Sequence, residues 1–357
     1  MQRSGPGPLD LVFTRLVPLL AVLLLNGCSS AAYYGQLAEG QWQLLRARQP
    51  VEQVLANPAT SAQLRVRLEH VRQARVFASQ QLKLPDNRSY RVYADIGRPY
   101  VVWNVFATPE LSLQPVTHCF PIAGCVAYRG YYQQGAARGA AALMRQDGMD
   151  VYVGGVEAYS TLGWFDDPIL SSMVGWSDER LATLIFHELA HQRFYVQDDT
   201  EFNESFASFV EQEGSRQWRV ARVLAASGGE QGQQREQFIR LVLASRERLQ
   251  AIYAGPLNDV QKRAAKQAEF ERLRREYRQV RDAQWGGDKR YDAWMYGPMS
   301  NAKLLPFGLY HQWVPAFAAV FREVGGDWAR FYQRVEQLGR LPIEERKVAL
   351  QRLMVNL

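Results

Sequence analysis

The stretch His187-Glu-Leu-Ala-His191 constrains this chain more than any other short segment, because two histidines stand four residues apart with a glutamate between them. On an α-helix this spacing places both imidazoles on one face, a turn apart, where they can bind one zinc ion. Glu188 follows the first histidine and is placed to take a proton from a zinc-activated water. The pattern predicts metal ligands at His187 and His191 and a general base at Glu188.

The residues around this motif indicate that its helix is packed. Residues 184–186 and 189–190 are apolar, and Ser177 or Asp178 is a suitable N-cap. A pair of solvated surface histidines fits this context poorly. The remaining structural alternative is a buried pair of hydrogen-bonded histidines with no metal.

A catalytic zinc needs a third protein ligand and one open position. The other histidines, His70, His118 and His311, do not follow the motif at the short spacing of peptidases that use three histidines. Glu204 and Glu211 are seven residues apart, so they share one face of the next predicted helix. A carboxylate from that helix is therefore the better candidate.

The run His-Glu-Leu-Ala-His-Gln at 187–192, followed by Asn-Glu-Ser-Phe-Ala-Ser-Phe-Val-Glu at 203–211, resembles the gluzincin peptidases, in particular the aminopeptidase-N type. The resemblance implies that Glu204 is the third zinc ligand and that Glu211 supports a ligand histidine from behind. This chain departs from that type in two ways. Only twelve residues separate His191 from Glu204, a shorter gap, and no Gly-Ala-Met-Glu-Asn exopeptidase motif stands upstream.

Three separated blocks, residues 126–132, 150–173 and 187–214, also resemble a bacterial family of predicted aminopeptidases, many of which are lipoproteins. This resemblance implies a zinc-dependent peptidase with Zn²⁺ as cofactor. It adds little on whether the enzyme trims N-termini or cuts within a chain.

Further site residues follow from the zincin pattern. An extended edge strand before the zinc helix binds substrate backbone in zincins, and residues 151–162 are expected to do so here. Glu157 on that segment is a candidate anchor for a substrate amine, with a solvent-facing glutamate as the alternative. Gluzincins stabilise the oxyanion with a tyrosine or histidine from the C-terminal helical part, and Tyr296, Tyr310 and His311 are the candidates. The Asp166-Asp167 pair is expected in a capping loop.

The N-terminal sequence is typical of a signal peptide. A short apolar run ends at Leu25-Asn-Gly-Cys28, which resembles a bacterial lipobox. The resemblance implies removal of residues 1–27 and lipidation of Cys28, and Ser29 favours the outer membrane over the inner one. The alternative is an ordinary secretory signal with an incidental cysteine. The expected location is the periplasmic side of the bacterial envelope, anchored to the membrane through lipid.

Cys119 and Cys125 remain if Cys28 is lipidated. Five residues with a proline and a glycine separate them, so an oxidising periplasm would allow a small disulfide-closed loop. The alternative is two reduced, buried thiols.

The chain is predicted to be α+β and predominantly helical, with a zincin-like metallopeptidase core and an edge-strand sheet before the zinc helix. Helices are expected at about 61–82, 133–148, 178–196, 200–226, 231–253, 258–283, 301–323, 326–338 and 343–355, and strands within 90–111 and from 149 onward. The predicted parts are the signal peptide at 1–27, an N-terminal helical and β part at 28–150, a zinc-peptidase core at 151–230, a long charged helical pair at 231–285, and a C-terminal helical part at 286–357.

The net charge of +6 is mild, and lysines and arginines are spread along helical stretches, so a nucleic-acid partner is not expected. The expected partner is a peptide or protein substrate. The main hypothesis is a zinc metallopeptidase, with aminopeptidase activity as its narrower form. The alternative is an inactive, zinc-stabilised binding or scaffold lipoprotein, although such a protein has no need of Glu188.

Overall fold

The computed structural model describes residues 31–120, 124–158, 161, 163–222 and 229–355. The chain divides into two units at Ala47, and the described residues of the first unit begin at 31. In the first unit, helix α1 spans 31–46. The predicted signal peptide and Cys28 lie outside the described residues. Among the helices that are described, none is both long and apolar enough to cross a bilayer.

The second unit is mostly helical. Its described helices are α2 (Val51–Ala56), α3 (Ala62–Gln80), α4 (Gln134–Gln146), α5 (Asp178–Arg193), α6 (Thr200–Ala221), α7 (Gly229–Ala254), α8 (Asp259–Gln284), α9 (Asp292–Tyr296), α10 (Asn301–His311), α11 (Val314–Glu323), α12 (Trp328–Gly339) and α13 (Ile343–Val355). The predicted boundaries at 150, 230 and 285 all lie within this second unit and stay predictions.

The strands form small sheets. They are β1 (Arg48–Pro50), β2 (Val92–Ala94), β3 (Val102–Pro109), β4 (His118–Phe120), β5 (Gly124–Val126), β6 (Arg129–Tyr131), β7 (Met149–Val156) and β8 (Ile169–Leu170). Their orders are β1-β2-β8, β6-β3-β7 and β4-β5. β7 runs antiparallel to β3, from Val102 opposite Val156 to Pro109 opposite Met149, and lies at the edge of the described sheet. The sequence predicted an α+β, predominantly helical chain, and the described residues are mostly helical with small sheets.

Helices α5 and α6 form the centre of the helical part. Ser177 caps α5 by accepting a hydrogen bond from the Arg180 N–H, as the sequence predicted, and Asp199 caps α6 in the same way. A Cβ atom on Gly214 would lie 2.7 Å from Leu82 and 3.0 Å from Phe186. The glycine therefore lets α6 pack closely on α5, and α5 also contacts α3.

The pair α7–α8, which was predicted as a long charged helical pair, also carries part of the core on its inner face. The buried residues there are Phe238, Val242, Leu249, Phe270, Leu273 and Tyr277, which pack with Met295 and Leu304. Charged side chains lie around this interface, including the ion pair between Arg248 and Glu276. The helices thus contribute a hydrophobic layer as well as a charged surface.

The C-terminal part differs from the prediction in two ways. The short helix α9, which follows α8, is not among the predicted helices. The single helix predicted over 301–323 is two helices, because α10 ends at His311 and α11 begins at Val314. The break between them lies beside the site described next.

Candidate metal centre

Two histidines of α5 and one glutamate of α6 converge. His187 Nε2 and His191 Nε2 lie 3.4 Å and 3.5 Å from Glu204 Oε2, and one ligand atom of each residue lies within 4.8 Å of the others. Ligands about 2.0–2.2 Å from a tetrahedral zinc are roughly 3.3–3.6 Å apart. The two nitrogen–oxygen separations therefore fit a shared metal ion.

The surroundings of this cluster also fit a cation. All three side chains are buried. Glu204 Oε2 is fully enclosed and, in the described part of the chain, accepts no hydrogen bond. A buried carboxylate oxygen needs compensation, and a metal ion supplies it. The donor set of two imidazoles and one carboxylate is that of many catalytic zinc sites.

The link between α5 and α6 is short and held at both ends. Asn203 accepts a hydrogen bond from the Val196 N–H at 2.8 Å and donates one to the Val196 carbonyl at 2.6 Å. The carboxylate of the α6 cap, Asp199, forms a buried ion pair with Arg346 of α13. Glu204 thus directly follows a first turn of α6 that is held by Asn203 and Asp199.

Glu211 lies behind His187, as the resemblance implied. Its Oε2 is 3.1 Å from His187 Nδ1, and its Oε1 accepts a hydrogen bond from Arg235 of α7 at 3.1 Å. A carboxylate at Nδ1 favours the proton there and leaves the lone pair of Nε2 for a metal. The chain Arg235–Glu211–His187 therefore orients one ligand ring.

The electrostatics of the metal-free cluster follow from this packing. Burial alone would lower the pKa of His187, but Glu204 and Glu211 outweigh it and raise that pKa to about 10. Burial would raise the pKa of Glu204 and of Glu211, but neighbouring cationic groups lower each to about 2. Two carboxylates therefore stay ionised here and favour positive charge between them.

Glu188 lies next to these ligands on α5 and is partly buried. Its negative charge is one of the smaller causes that raise the pKa of His187 and of Tyr310. Glu188 directly follows one candidate ligand in the chain, and its role as a general base stays a prediction.

The three candidate oxyanion stabilisers differ in the residues that they contact. The Tyr310 ring stacks on His187 at 5.9 Å between ring centroids, and burial followed by the charge of Glu204 raises its pKa. The ring of His311 lies 6.5 Å from that of Tyr310, and burial followed by the charge of Arg235 lowers the pKa of His311 to about 4. The Tyr310 ring is therefore at the centre, with His311 next to it.

Tyr296 does not join this group. It is 45% exposed at the end of α9 and its ring lies 6.2 Å from that of Tyr277 on α8. Its described ring contact is with α8, so the structure favours Tyr310 over it as the candidate oxyanion stabiliser.

The segment before α5 is only partly described. β7 covers the first half of the predicted edge strand, and residues 159, 160 and 162 lie outside the described residues. Glu157 forms an ion pair with Arg180 near the start of α5, so its carboxylate already has a cationic partner. Asp167 lies in a loop, as predicted, but it accepts hydrogen bonds from the Thr161 N–H and the Gln192 side chain and not from the N-terminus of a helix.

Cys119 and Cys125 form a disulfide across the paired strands β4 and β5. The Cys125 N–H donates a 2.6 Å hydrogen bond to Asp198, in the loop between the metal ligands. A Cβ atom on Gly124 would lie 2.5 Å from the same carboxylate oxygen. The hairpin therefore packs directly on the α5–α6 loop.

Sequence reasoning missed two residues of the centre. Tyr195 lies 6.3 Å from His191 between ring centroids, and burial together with the charge of Glu204 raises its pKa to about 12. Its place just after the zinc helix was the available signal. Arg235 gave none, because nothing in the pattern of α7 distinguishes it from other surface arginines.

A family model described as "Putative aminopeptidase" matches residues 32–350. No curated protein and no solved structure matches the chain.

Proposed function

The chain belongs to the putative aminopeptidase family, and on that premise we propose that it is a zinc-dependent metallopeptidase that hydrolyses peptide bonds in the bacterial cell envelope. Membership supports a peptidase-like activity at a coarse level. The single observation that carries the zinc proposal is the convergence of His187, His191 and Glu204 beside Glu188. We extend the proposal to a zincin-like arrangement of α5, α6 and the β6-β3-β7 sheet.

Each residue of the metal centre has its own role in the proposed reaction. When bound by His187, His191 and Glu204, zinc supplies a Lewis acid that activates water and polarises the substrate carbonyl. Glu188 takes a proton from the attacking water and passes it to the departing amine. Glu211 holds the ring of His187 in place throughout.

Tyr310 is the proposed stabiliser of the charge that develops on the carbonyl oxygen. Burial and neighbouring carboxylates raise its pKa well above its ordinary value, so the hydroxyl keeps its proton and can donate a hydrogen bond. His311 is neutral near pH 7, because its pKa is lowered to about 4. It can donate or accept a hydrogen bond at the rim of the same site.

The location in the envelope is proposed from the N-terminal sequence. A lipidated Cys28 would hold the protein on the periplasmic side, with the outer membrane favoured by Ser29. The disulfide between Cys119 and Cys125 supports this location, since such bonds persist in oxidising compartments.

The test compares the full-length protein with Glu188→Gln on a mixed peptide library, with cleavage products identified by mass spectrometry and zinc content measured in both. The native protein is expected to hold about one zinc and to cleave, and the variant to keep zinc and lose about 10²–10⁴-fold in rate. Glu236→Gln is the matched control, since Glu236 is an exposed glutamate of α7. The cut positions distinguish an aminopeptidase from an endopeptidase.

The alternative function gives a different result. If native protein and Glu188→Gln both bind zinc and neither cleaves any peptide, the peptidase proposal is rejected in favour of a zinc-stabilised binding lipoprotein.

A further inference from the structure

The loop before α5 presents two large aromatic side chains to solvent. Trp164 is 66% exposed and Phe165 is 46% exposed. We call these two residues the aromatic pair. They lie in one of the three sequence blocks that resemble the aminopeptidase family, but neither has a role in the reaction described above. Exposed apolar residues are common one at a time, so a function for the pair requires an ordered loop that lies near the site.

The loop is ordered by its own hydrogen bonds. The Trp164 N–H donates to the Thr161 carbonyl at 3.1 Å, and the Phe165 N–H donates to Thr161 Oγ1 at 3.0 Å. Gly163 has a φ of +82°, which glycine adopts without strain in a tight turn. The Thr161 hydroxyl donates to the buried carboxylate of Asp167 at 2.8 Å. Because the backbone of the aromatic pair is already held, a ligand that packs on the pair loses little affinity to ordering of the loop.

The chain that leads to this loop runs along the side of α5 that carries Glu188. Steps of four residues place Arg180, Glu188 and Gln192 in one stripe of the helix. Glu157 forms an ion pair with Arg180 at one end of the stripe. Asp167 accepts a hydrogen bond from the Gln192 side chain at 3.1 Å at the other end. The chain from Glu157 to Asp167 therefore spans the stripe and passes Glu188.

The aromatic pair lies at the Gln192 end of this stripe. A Cβ atom on Gly163 would lie 3.5 Å from Gln192 Cδ, and the pair follows Gly163 directly. Gln192 is four residues after Glu188, about 6 Å along the helix axis. Successive residues of an extended peptide are about 3.3 Å apart. A peptide bond held at Glu188 and the metal thus has a side chain within a few residues that reaches the pair.

We propose that Trp164 and Phe165 are specificity-determining residues that select peptides with a large apolar side chain close to the scissile bond. This inference rests on the proposed function, which supplies the peptide and the bond that is cut. An apolar side chain that packs on the two rings removes apolar surface of both partners from water. A small polar side chain at the same position gains much less from the pair.

The first experiment compares the full-length native protein with Trp164→Ala and Phe165→Ala on a peptide library randomised around one cleaved sequence. The native protein is expected to prefer large apolar residues at one position. Each variant should lose about 10-fold in kcat/KM for those peptides, and it should cleave peptides with serine at that position at the native rate. Trp42→Ala removes an exposed tryptophan of α1 and is the matched control. A native protein without an apolar preference, or variants that keep it, would overturn the inference and leave the proposed function standing.

The second experiment measures binding without turnover. Zinc-loaded Glu188→Gln is titrated in a calorimeter with a heptapeptide that has phenylalanine at its centre, and with the same peptide carrying serine there. The phenylalanine peptide should bind about 10-fold more tightly, and the difference should disappear in Glu188→Gln/Trp164→Ala. Equal affinities for the two peptides would reject the aromatic pair as a selective surface. A preference that depends on Trp164 in a protein that cleaves nothing would reject the proposed function and keep the pair as a peptide-binding surface.

A third experiment tests the bilayer as the partner of the aromatic pair, since exposed tryptophans of anchored proteins also lie at membrane surfaces. Native protein and Trp164→Phe are each anchored in vesicles that contain brominated phospholipid, which quenches tryptophan fluorescence on contact. The two proteins are expected to lose the same amount of fluorescence. A larger loss in the native protein would place Trp164 in the membrane surface and overturn the proposal.

Discussion

The two sides of the metal centre are built in different ways. The ligand side, residues 187–211, is one continuous stretch of two helices and a short loop. The facing side comes from the end of α10, about a hundred residues later along the chain, where Ser205 of α6 hydrogen-bonds to the Leu309 carbonyl and to the Trp313 N–H. The first side follows from local sequence, whereas the second depends on tertiary contact.

This difference shows which residues of the site can be predicted from the sequence and which can be identified only in the structure. Helical spacing places His187, His191 and Glu188 without reference to the rest of the fold. Tyr310 and Tyr296 look equally suitable in the sequence, and only the packing separates them. The predictions below test whether the ligand side alone holds the metal and the facing side alone serves the reaction.

The largest effect is expected on the ligand side. Glu204→Ala removes the carboxylate that joins the two histidines, so zinc content should fall to background and peptide cleavage should become undetectable. Metal analysis and the library assay measure both. Glu213→Gln, another glutamate of α6 that pairs with Arg216, is the control and should behave as native. Full zinc binding by Glu204→Ala would show that the ligand set is wrong.

The next effect lies on the facing side. Tyr310→Phe removes one hydroxyl, so kcat should fall by about 10²–10³-fold while zinc content stays native. Tyr296→Phe is the matched control and should leave kcat unchanged. Loss of zinc from Tyr310→Phe, or an equal loss of kcat in Tyr296→Phe, would break the division between the two sides.

A smaller effect is expected behind His187. Glu211→Gln weakens the hydrogen bond that orients the ring, so zinc affinity should fall by about 10–100-fold in competition with a chelator. Arg235→Gln should have a smaller effect in the same direction, since the Arg235 side chain is 55% exposed. If Arg235→Gln costs more than Glu211→Gln, Arg235 has a function of its own.

The smallest effect is the pH dependence of metal binding. Below its raised pKa of about 10, His187 in the metal-free protein holds a proton, and zinc binds only after that proton leaves. Zinc affinity should therefore rise with pH, by about tenfold per pH unit for one proton. Calorimetry near neutral pH in buffers of different ionisation enthalpy should show about one proton released. No buffer dependence would mean that His187 is already neutral.

The centre of the fold could be predicted because its signals are local. Capping residues mark the starts of α5 and α6, and their apolar spacing is helical. The join between α10 and α11 was missed although it has a local signal, because Pro315 at the start of α11 lacks the N–H that a continuous helix needs there. The buried face of α7–α8 was not predicted, because the many charged residues along both helices make the widely spaced apolar residues hard to recognise in the sequence.

The loop between the ligands has a consequence for recognising related proteins. The Asn203 side chain hydrogen-bonds to the backbone of Val196, and the Cys125 N–H of the disulfide hairpin donates a hydrogen bond to Asp198. Surface loops ordinarily accept insertions at little cost in free energy, but added residues here would break one of these two attachments. We therefore expect the number of residues between His191 and Glu204 to be fixed. A pattern written with that gap, and with asparagine just before the glutamate, offers a way to search for distant relatives.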